Sequence, residues 1–219
     1  MEKKLSIAID GPAGSGKSTL AKILAEELNF EYIDTGAMYR AFTYKVLINK
    51  INPQDEESVV GLLSSTEIDF IDNHIYLDGL KIDELIRTNK INENVSYVAS
   101  YKKVRDYMVF LQKKMAERKS VVMDGRDITS VVLPHADFKF FITASVEERA
   151  KRRYLENIEK GLNTSFNEVI EGIKKRDIID STRLESPLTK TDDSILIDNT
   201  NLSIEQTLKI ITDLVKGGK

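Results

Sequence analysis

Residues 11–18 read Gly11-Pro12-Ala13-Gly14-Ser15-Gly16-Lys17-Ser18. This is the spacing G-x-x-x-x-G-K-[ST] of a phosphate-binding P-loop. What flanks it constrains the fold. An apolar run, Leu5–Ile9, precedes it as a buried strand would. A helical pattern follows, with Leu20, Ile23, Leu24 and Leu28 on one face. The glycines let the backbone curl so that several N–H groups face phosphate oxygens. A helix opening at Lys17 aims its positive end at the same point. Lys17 is expected to reach the β- and γ-phosphates of a nucleoside triphosphate, and the Ser18 hydroxyl to sit on Mg²⁺.

Beyond this unit, short apolar runs alternate with helical patterns. Candidate strands are Leu5–Ile9, Glu31–Asp34, Ser120–Asp124, Phe138–Ile142 and Ser194–Asp198. One helix carries Val104, Met108, Leu111 and Met115 on a single face, and the last carries Ile204, Leu208, Ile211 and Val215. Ser145 with Glu148, and Ser203 with Gln206, read as capping boxes. The alternation predicts an α/β fold, a parallel sheet flanked by helices.

Two segments depart from it. Glu67–Ile82 has no helix signal and reads as three short strands, Ile68–Ile71, His74–Leu77 and Leu80–Ile82. Asp72-Asn73 and Asp78-Gly79 are the turns, and Asp-Gly favours a tight hairpin. This antiparallel insertion is expected to act as a flap over a second substrate. Residues 149–166 are dense in charge and mostly read as a solvated helix, although the adjacent Arg152 and Arg153 invite a lid role.

Composition removes several function classes. The net charge of −3 gives no reason to expect nucleic acid or an anionic membrane as partner. The absence of cysteine excludes disulfides, zinc thiolates and thiol nucleophiles. His74 and His135 are far apart and lack ligand spacing. The start, Met1-Glu2-Lys3-Lys4, leads into a short strand with no signal-peptide core, and no stretch approaches membrane-spanning length. A cytoplasmic chain with no required protein partner, a monomer, is the expectation.

The reaction must be read outside the P-loop. Asp34–Arg40 directly follows the second strand, where ligand crevices of parallel sheets lie, so Thr35, Tyr39 and Arg40 are expected near the P-loop. Asp124-Gly125-Arg126-Asp127 follows the apolar run Val121–Met123. There Asp124 is placed to orient Mg²⁺ through water, and Arg126 to hold phosphate. Arg176, Asp180 and Arg183 continue the stripe of Phe166, Val169, Ile170 and Ile173, expected to be buried, provided that helix runs on. Charges on a buried face must meet an opposite charge or a polar partner, and a bound anion supplies one. Arg40, Arg126, Arg176 and Arg183 exceed what one triphosphate needs, which points to a second, acceptor phosphate.

The set Gly11–Thr19, Asp34–Arg40, Ile86-Arg87-Thr88, Val104-Arg105, Asp124–Asp127 and Lys175-Arg176-Asp177 through Pro187-Leu188 resembles bacterial cytidylate kinase, over nearly the whole chain. The resemblance implies the nucleoside monophosphate kinase fold with a five-stranded parallel sheet, and transfer of the γ-phosphate of ATP to CMP or dCMP with Mg²⁺. It implies a core of residues 1–66, 91–148 and 167–219, a monophosphate-binding insertion at 67–90 and a lid at 149–166. Gly11, Pro12, Ala13, Gly14, Ser15, Gly16, Lys17, Ser18 and Thr19 would hold ATP. Thr35, Tyr39 and Asp180 would hold the ribose side, and Arg40, Arg126 and Arg176 the CMP phosphate. Ser96, Arg105, Asp127 and Arg183 would read cytosine. Arg152 and Arg153 would cover the transferring group, making Lys17, Arg126, Arg152 and Arg153 the catalytic set. The chain departs from some members in carrying Ile179 where they have a basic residue.

Cytosine offers an amino donor that the Asp127 carboxylate can accept, whereas uracil would set an oxygen against it. A GTP-binding switch is disfavoured. Thr189-Lys190-Thr191-Asp192 resembles a guanine-reading motif but precedes a strand instead of following one, and no Asp has Gly three positions later. A kinase for a small non-nucleotide acceptor would need fewer arginines and no insertion. An RNA-binding domain fails on charge and on the lack of an aromatic platform.

Overall fold

The computed structural model describes residues 4–71 and 73–217; Met1–Lys3, Asp72, which the sequence reading puts in a turn, and Gly218–Lys219 lie outside the described residues. In chain order the elements are β1 (Ser6–Asp10), α1 (Lys17–Leu28), β2 (Glu31–Asp34), α2 (Thr35–Ile48), α3 (Glu56–Gly61), β3 (Ile68–Ile71), β4 (His74–Leu77), β5 (Leu80–Lys81), α4 (Asn89–Val98), α5 (Lys102–Ala116), β6 (Val121–Gly125), β7 (Phe138–Thr143), α6 (Val146–Glu159), α7 (Phe166–Thr182), β8 (Ile195–Asp198) and α8 (Ile204–Gly217). A single π-helical turn, Ile128–Val132, links β6 towards β7.

The five strands expected from apolar runs form one parallel sheet in the order β2-β6-β1-β7-β8. Successive side chains of a strand point to opposite faces, and the core divides accordingly. Ile7 and Ile9 of β1 pack with Leu20 and Leu24 of α1 and Ile211 and Val215 of α8. Ala8, between them, belongs to the other layer, with Met38 and Phe42 of α2 and Val104 and Met108 of α5. The register aligns Asp34 with Asp124 and Asp10 with Gly125. The P-loop, residues 34–40 and residues 124–127 therefore leave the sheet at one edge. That alignment builds the site.

The insertion is a three-stranded antiparallel sheet, β3-β4-β5. Asp78 and Gly79 both have positive φ, 49° and 80°, as a tight hairpin turn requires. Ile68, Phe70, Ile75 and Leu77 are buried in the same cluster as Met38 and Phe42, so the sheet is packed onto α2. Lys45 of α2 pairs with Asp78 at 2.7 Å.

Helix α7 does run on, through Thr182, so Arg176 and Asp180 share its inner side and Arg183 caps its end. The capping expectations are met unevenly. Ser203 and Gln206 exchange both hydrogen bonds, at 2.9 and 3.2 Å. Ser145 accepts from the Glu148 amide, but its own amide donates to Thr200 and Glu148 turns to Arg152, so that box is half made. A full box at Ser165 and Glu168 starts α7.

Candidate active site

The donor loop is a backbone structure. A Cβ on Gly11 would lie 1.9 Å from the Ile142 carbonyl oxygen, so only glycine lets the chain pass β7 here. Gly14 and Gly16 have φ of 77° and 85°, the left-handed turns that curl the loop before α1 opens at Lys17. Lys17 is buried, and its Nζ donates to the Pro12 carbonyl at 2.9 Å. Burial, with Arg126 and Arg176 nearby, pushes its pKa down to about 7.

Ser18 Oγ donates to Asp124 Oδ2 at 2.8 Å, and the Tyr32 hydroxyl donates to Asp124 Oδ1 at 2.9 Å. Burial and the neighbouring Asp34 raise the Asp124 pKa. A hydroxyl and a carboxylate at the mouth of a P-loop are hard oxygen donors, and they fit Mg²⁺, which takes few protein ligands and completes its shell with phosphate and water. Among the described residues no group of three or more His, Cys, Asp or Glu could hold a metal by itself.

Of the ten residues expected on the acceptor side, nine line one pocket: Thr35, Tyr39, Ser96, Arg105, Arg126, Asp127, Arg176, Asp180 and Arg183. Arg126 Nε donates to Asp180 at 2.8 Å. Arg176 Nε is 3.8 Å from the same carboxylate and is buried without a hydrogen bond. Burial alone would raise the Asp180 pKa, but Arg126 and Arg176 outweigh it and hold the group below its usual value. One carboxylate cannot neutralise both arginines. Burial, with Arg126 and then Arg40 beside it, pushes Arg176 down to about 9. Burial and Arg105 likewise lower Arg183. Buried cations that outnumber their partners are the electrostatic signature of an anion site.

The tenth residue, Arg40, does not line this pocket. It donates to Asp34 at 2.9 Å on the neighbouring wall, because Asp34 caps α2 and Arg40 lies within reach on the same helix. Elsewhere in the pocket, Arg105 forms a buried ion pair with Asp127, donates to the Ala99 carbonyl at 3.1 Å and lies 5.6 Å from the Tyr39 ring centroid.

The two arginines of residues 149–166 part ways. Arg152 donates to Asn199 Oδ1 and O at 3.0 and 2.8 Å, close to Gly16. Arg153 lines the adjoining cleft together with Ala13, Gly14 and Arg176, and pairs with Glu156 at 2.9 Å. Arg149, read from sequence as solvated, is buried; it donates to the Ala13 carbonyl at 3.0 Å and pairs with Asp177 at 2.7 Å. Three other supports gave no sequence signal. Asn199 Nδ2 donates to the Ser15 carbonyl at 3.0 Å, Asp10 accepts from the Ile128 and Thr129 amides at 2.9 and 2.8 Å, and Tyr32 holds Asp124. The Ser15 carbonyl and the Ile128 and Thr129 amides are backbone groups distant in sequence from Asn199 and Asp10.

A P-loop on a five-stranded parallel sheet, with a second cationic pocket at the same sheet edge, defines a P-loop kinase. The chain belongs to the cytidylate kinase family, whose model matches residues 7–217. It is 52% identical to the cytidylate kinase of Alkaliphilus oremlandii over 97% of this chain and 98% of that one. The cytidylate kinases of Clostridioides difficile and Bacillus subtilis are 51% and 49% identical, covering 96% and 99% of this chain and 98% of each relative. Among solved structures, an uncharacterised protein from Eubacterium ventriosum aligns with TM-score 0.56 at 15% identity, covering 98% of this chain and 99% of that one. Shikimate kinase from Bacteroides thetaiotaomicron aligns with TM-score 0.50 at 14% identity, covering 97% and 98%. These two likenesses concern the fold alone.

Proposed function

We propose that this chain transfers the γ-phosphate of ATP to CMP or dCMP, releasing ADP and CDP or dCDP. The observation that carries the reading is the under-neutralised arginine cluster beside the P-loop, in a chain of the cytidylate kinase family. Gly11–Thr19 hold the triphosphate, with Lys17 on the β- and γ-oxygens. Arg126 and Arg176 grip the acceptor phosphate, and Arg40 joins them by exchanging Asp34 for it. Thr35, Tyr39 and Asp180 receive the ribose. Ser96, Arg105, Asp127 and Arg183 receive cytosine, with Arg105 fixing the Asp127 carboxylate that accepts from the amino group.

Phosphoryl transfer between two phosphates needs no protein nucleophile. Catalysis is positioning plus neutralisation of charge on the reacting oxygens. Arg152 and Arg153 stand near the P-loop and supply charge to the transferring group. Ser18, with Asp124 through water, would hold Mg²⁺, which would supply charge neutralisation on the phosphates. Residues 67–90 and 149–166 act as acceptor-side flap and lid on a core of 1–66, 91–148 and 167–219, excluding water from the reaction. A monomer is the assigned state. The cytoplasm, where ATP and CMP occur together, is the assigned compartment.

The test is an acceptor panel with ATP and Mg²⁺, read by ADP release. CMP and dCMP should be the preferred acceptors over UMP, AMP and shikimate. Preference for a non-nucleotide acid would overturn the assignment.

A further inference from the structure

Arg149 sits at a three-way junction. Its Nε donates to the Ala144 carbonyl at 2.9 Å, just beyond the end of β7. One terminal nitrogen donates to the Ala13 carbonyl at 3.0 Å, inside the P-loop. The other meets Asp177 Oδ2 of α7 at 2.7 Å. The guanidinium is almost fully buried, with its side chain only 5% exposed. The P-loop also packs directly on this turn of α6: a Cβ on Gly14 would lie 3.2 Å from Arg149 Cβ.

Asp177 immediately follows Arg176, and Asp180 lies one helical step further on. The planar guanidinium fork allows little play between the groups it joins. A shift of the Ala13 carbonyl on one side is therefore passed to the segment of α7 that carries the acceptor arginine on the other. The remaining oxygen of Asp177, Oδ1, is buried without a hydrogen bond, so Arg149 is the partner that fixes this carboxylate.

We infer that Arg149 and Asp177 are a positioning pair that couples occupancy of the donor loop to the orientation of Arg176, so that ATP and CMP strengthen each other's binding. The inference rests on the donor and acceptor reading above. Linkage makes the coupling reciprocal, and such couplings are typically about 5- to 150-fold. Neither residue touches substrate in this scheme; both act through Ala13 and Arg176.

The test is calorimetric titration of CMP into the protein with and without a saturating non-hydrolysable ATP analogue, and the reverse. In the native chain each ligand should tighten the other about fivefold or more. In Asp177→Asn that factor should fall below about twofold, while each ligand alone binds within about twofold of native. Asp177→Glu, which keeps the charge but displaces it by one methylene, should also reduce the coupling; it carries the test if the amide variant does not fold. A purely structural pair would lower the melting temperature and leave the coupling factor native. That result in either folded variant would overturn the inference, as would a native chain that binds both ligands independently. If the native chain failed to bind CMP at all, the acceptor reading would fall, and this inference with it.

Discussion

The donor loop and the acceptor pocket face each other but are built on opposite plans. The donor loop is one contiguous stretch whose working groups are backbone amides, shaped by glycines at positive φ and by the contact of Gly11 with Ile142. The acceptor pocket is made of side chains from α2, α4, α5, the end of β6 and α7. The first is specified locally and tolerates little substitution. The second is assembled by topology, and its charges are left short of partners until a ligand arrives. Lys17 joins the two, since burial and the acceptor arginines Arg126 and Arg176 together lower its pKa. On the proposed reading, a triphosphate and an acceptor phosphate would each relieve part of the same excess positive charge.

The contrast can be broken from either side. Lys17→Ala should have the largest effect, cutting kcat about a thousandfold or more with an unchanged circular dichroism spectrum, because it removes charge stabilisation of the transferring group. Turnover near native would contradict the donor assignment. Arg126→Ala should lower kcat/KM for CMP by about 10²- to 10³-fold while the Kd for ATP alone changes little. An equal loss in ATP affinity would mean the arginine serves both ligands.

Asp127→Ala should remove most of the CMP-over-UMP preference, a change of about a hundredfold in the ratio of kcat/KM values. It should also cost about 3–5 kcal/mol of stability by leaving Arg105 unpaired. The ratio is therefore to be measured well below the variant's melting temperature, and a native ratio would remove Asp127 from base reading.

The smallest effect concerns Asp10. Burial outweighs the hydrogen bonds it accepts from Thr129 and Ile128 and raises its pKa from 3.8 to about 6. The folded state thus binds the proton more tightly than the unfolded one. The stability this confers is full below the unfolded value and is lost as pH rises through about 6, at most about 3 kcal/mol. Asp10→Asn should flatten that part of a urea-unfolding profile between pH 4 and 6. An identical slope in the variant would show that Asp10 titrates normally.

How much was legible in the sequence follows the same divide. The P-loop, the five strands and the Asp78-Gly79 hairpin could be read because each is encoded in adjacent residues, and the structure moves their bounds by at most about one position. The acceptor-side residues emerged in three groups, Thr35, Tyr39 and Arg40 and then Arg126 and Asp127 at strand ends, and Arg176, Asp180 and Arg183 on an apolar stripe, while Ser96 and Arg105 came only through the family resemblance. Arg149 was missed because its spacing suits a solvated helix; its partners are the carbonyl of Ala13, 136 residues away, and Asp177 of α7. The pairing of Arg40 with Asp34 is set by the helix cap and is invisible in spacing. Asn199 and Asp10 bind backbone groups that only the sheet order brings near.

The central claim is that the buried arginines grip the phosphate of an acceptor nucleotide opposite the P-loop. Its most direct test compares the affinities of CMP and cytidine by calorimetry in the native protein and in Arg176→Ala. The native protein should bind CMP about a hundredfold more tightly than cytidine, and the variant should lose most of that difference. Equal affinities for CMP and cytidine in the native protein would contradict the account.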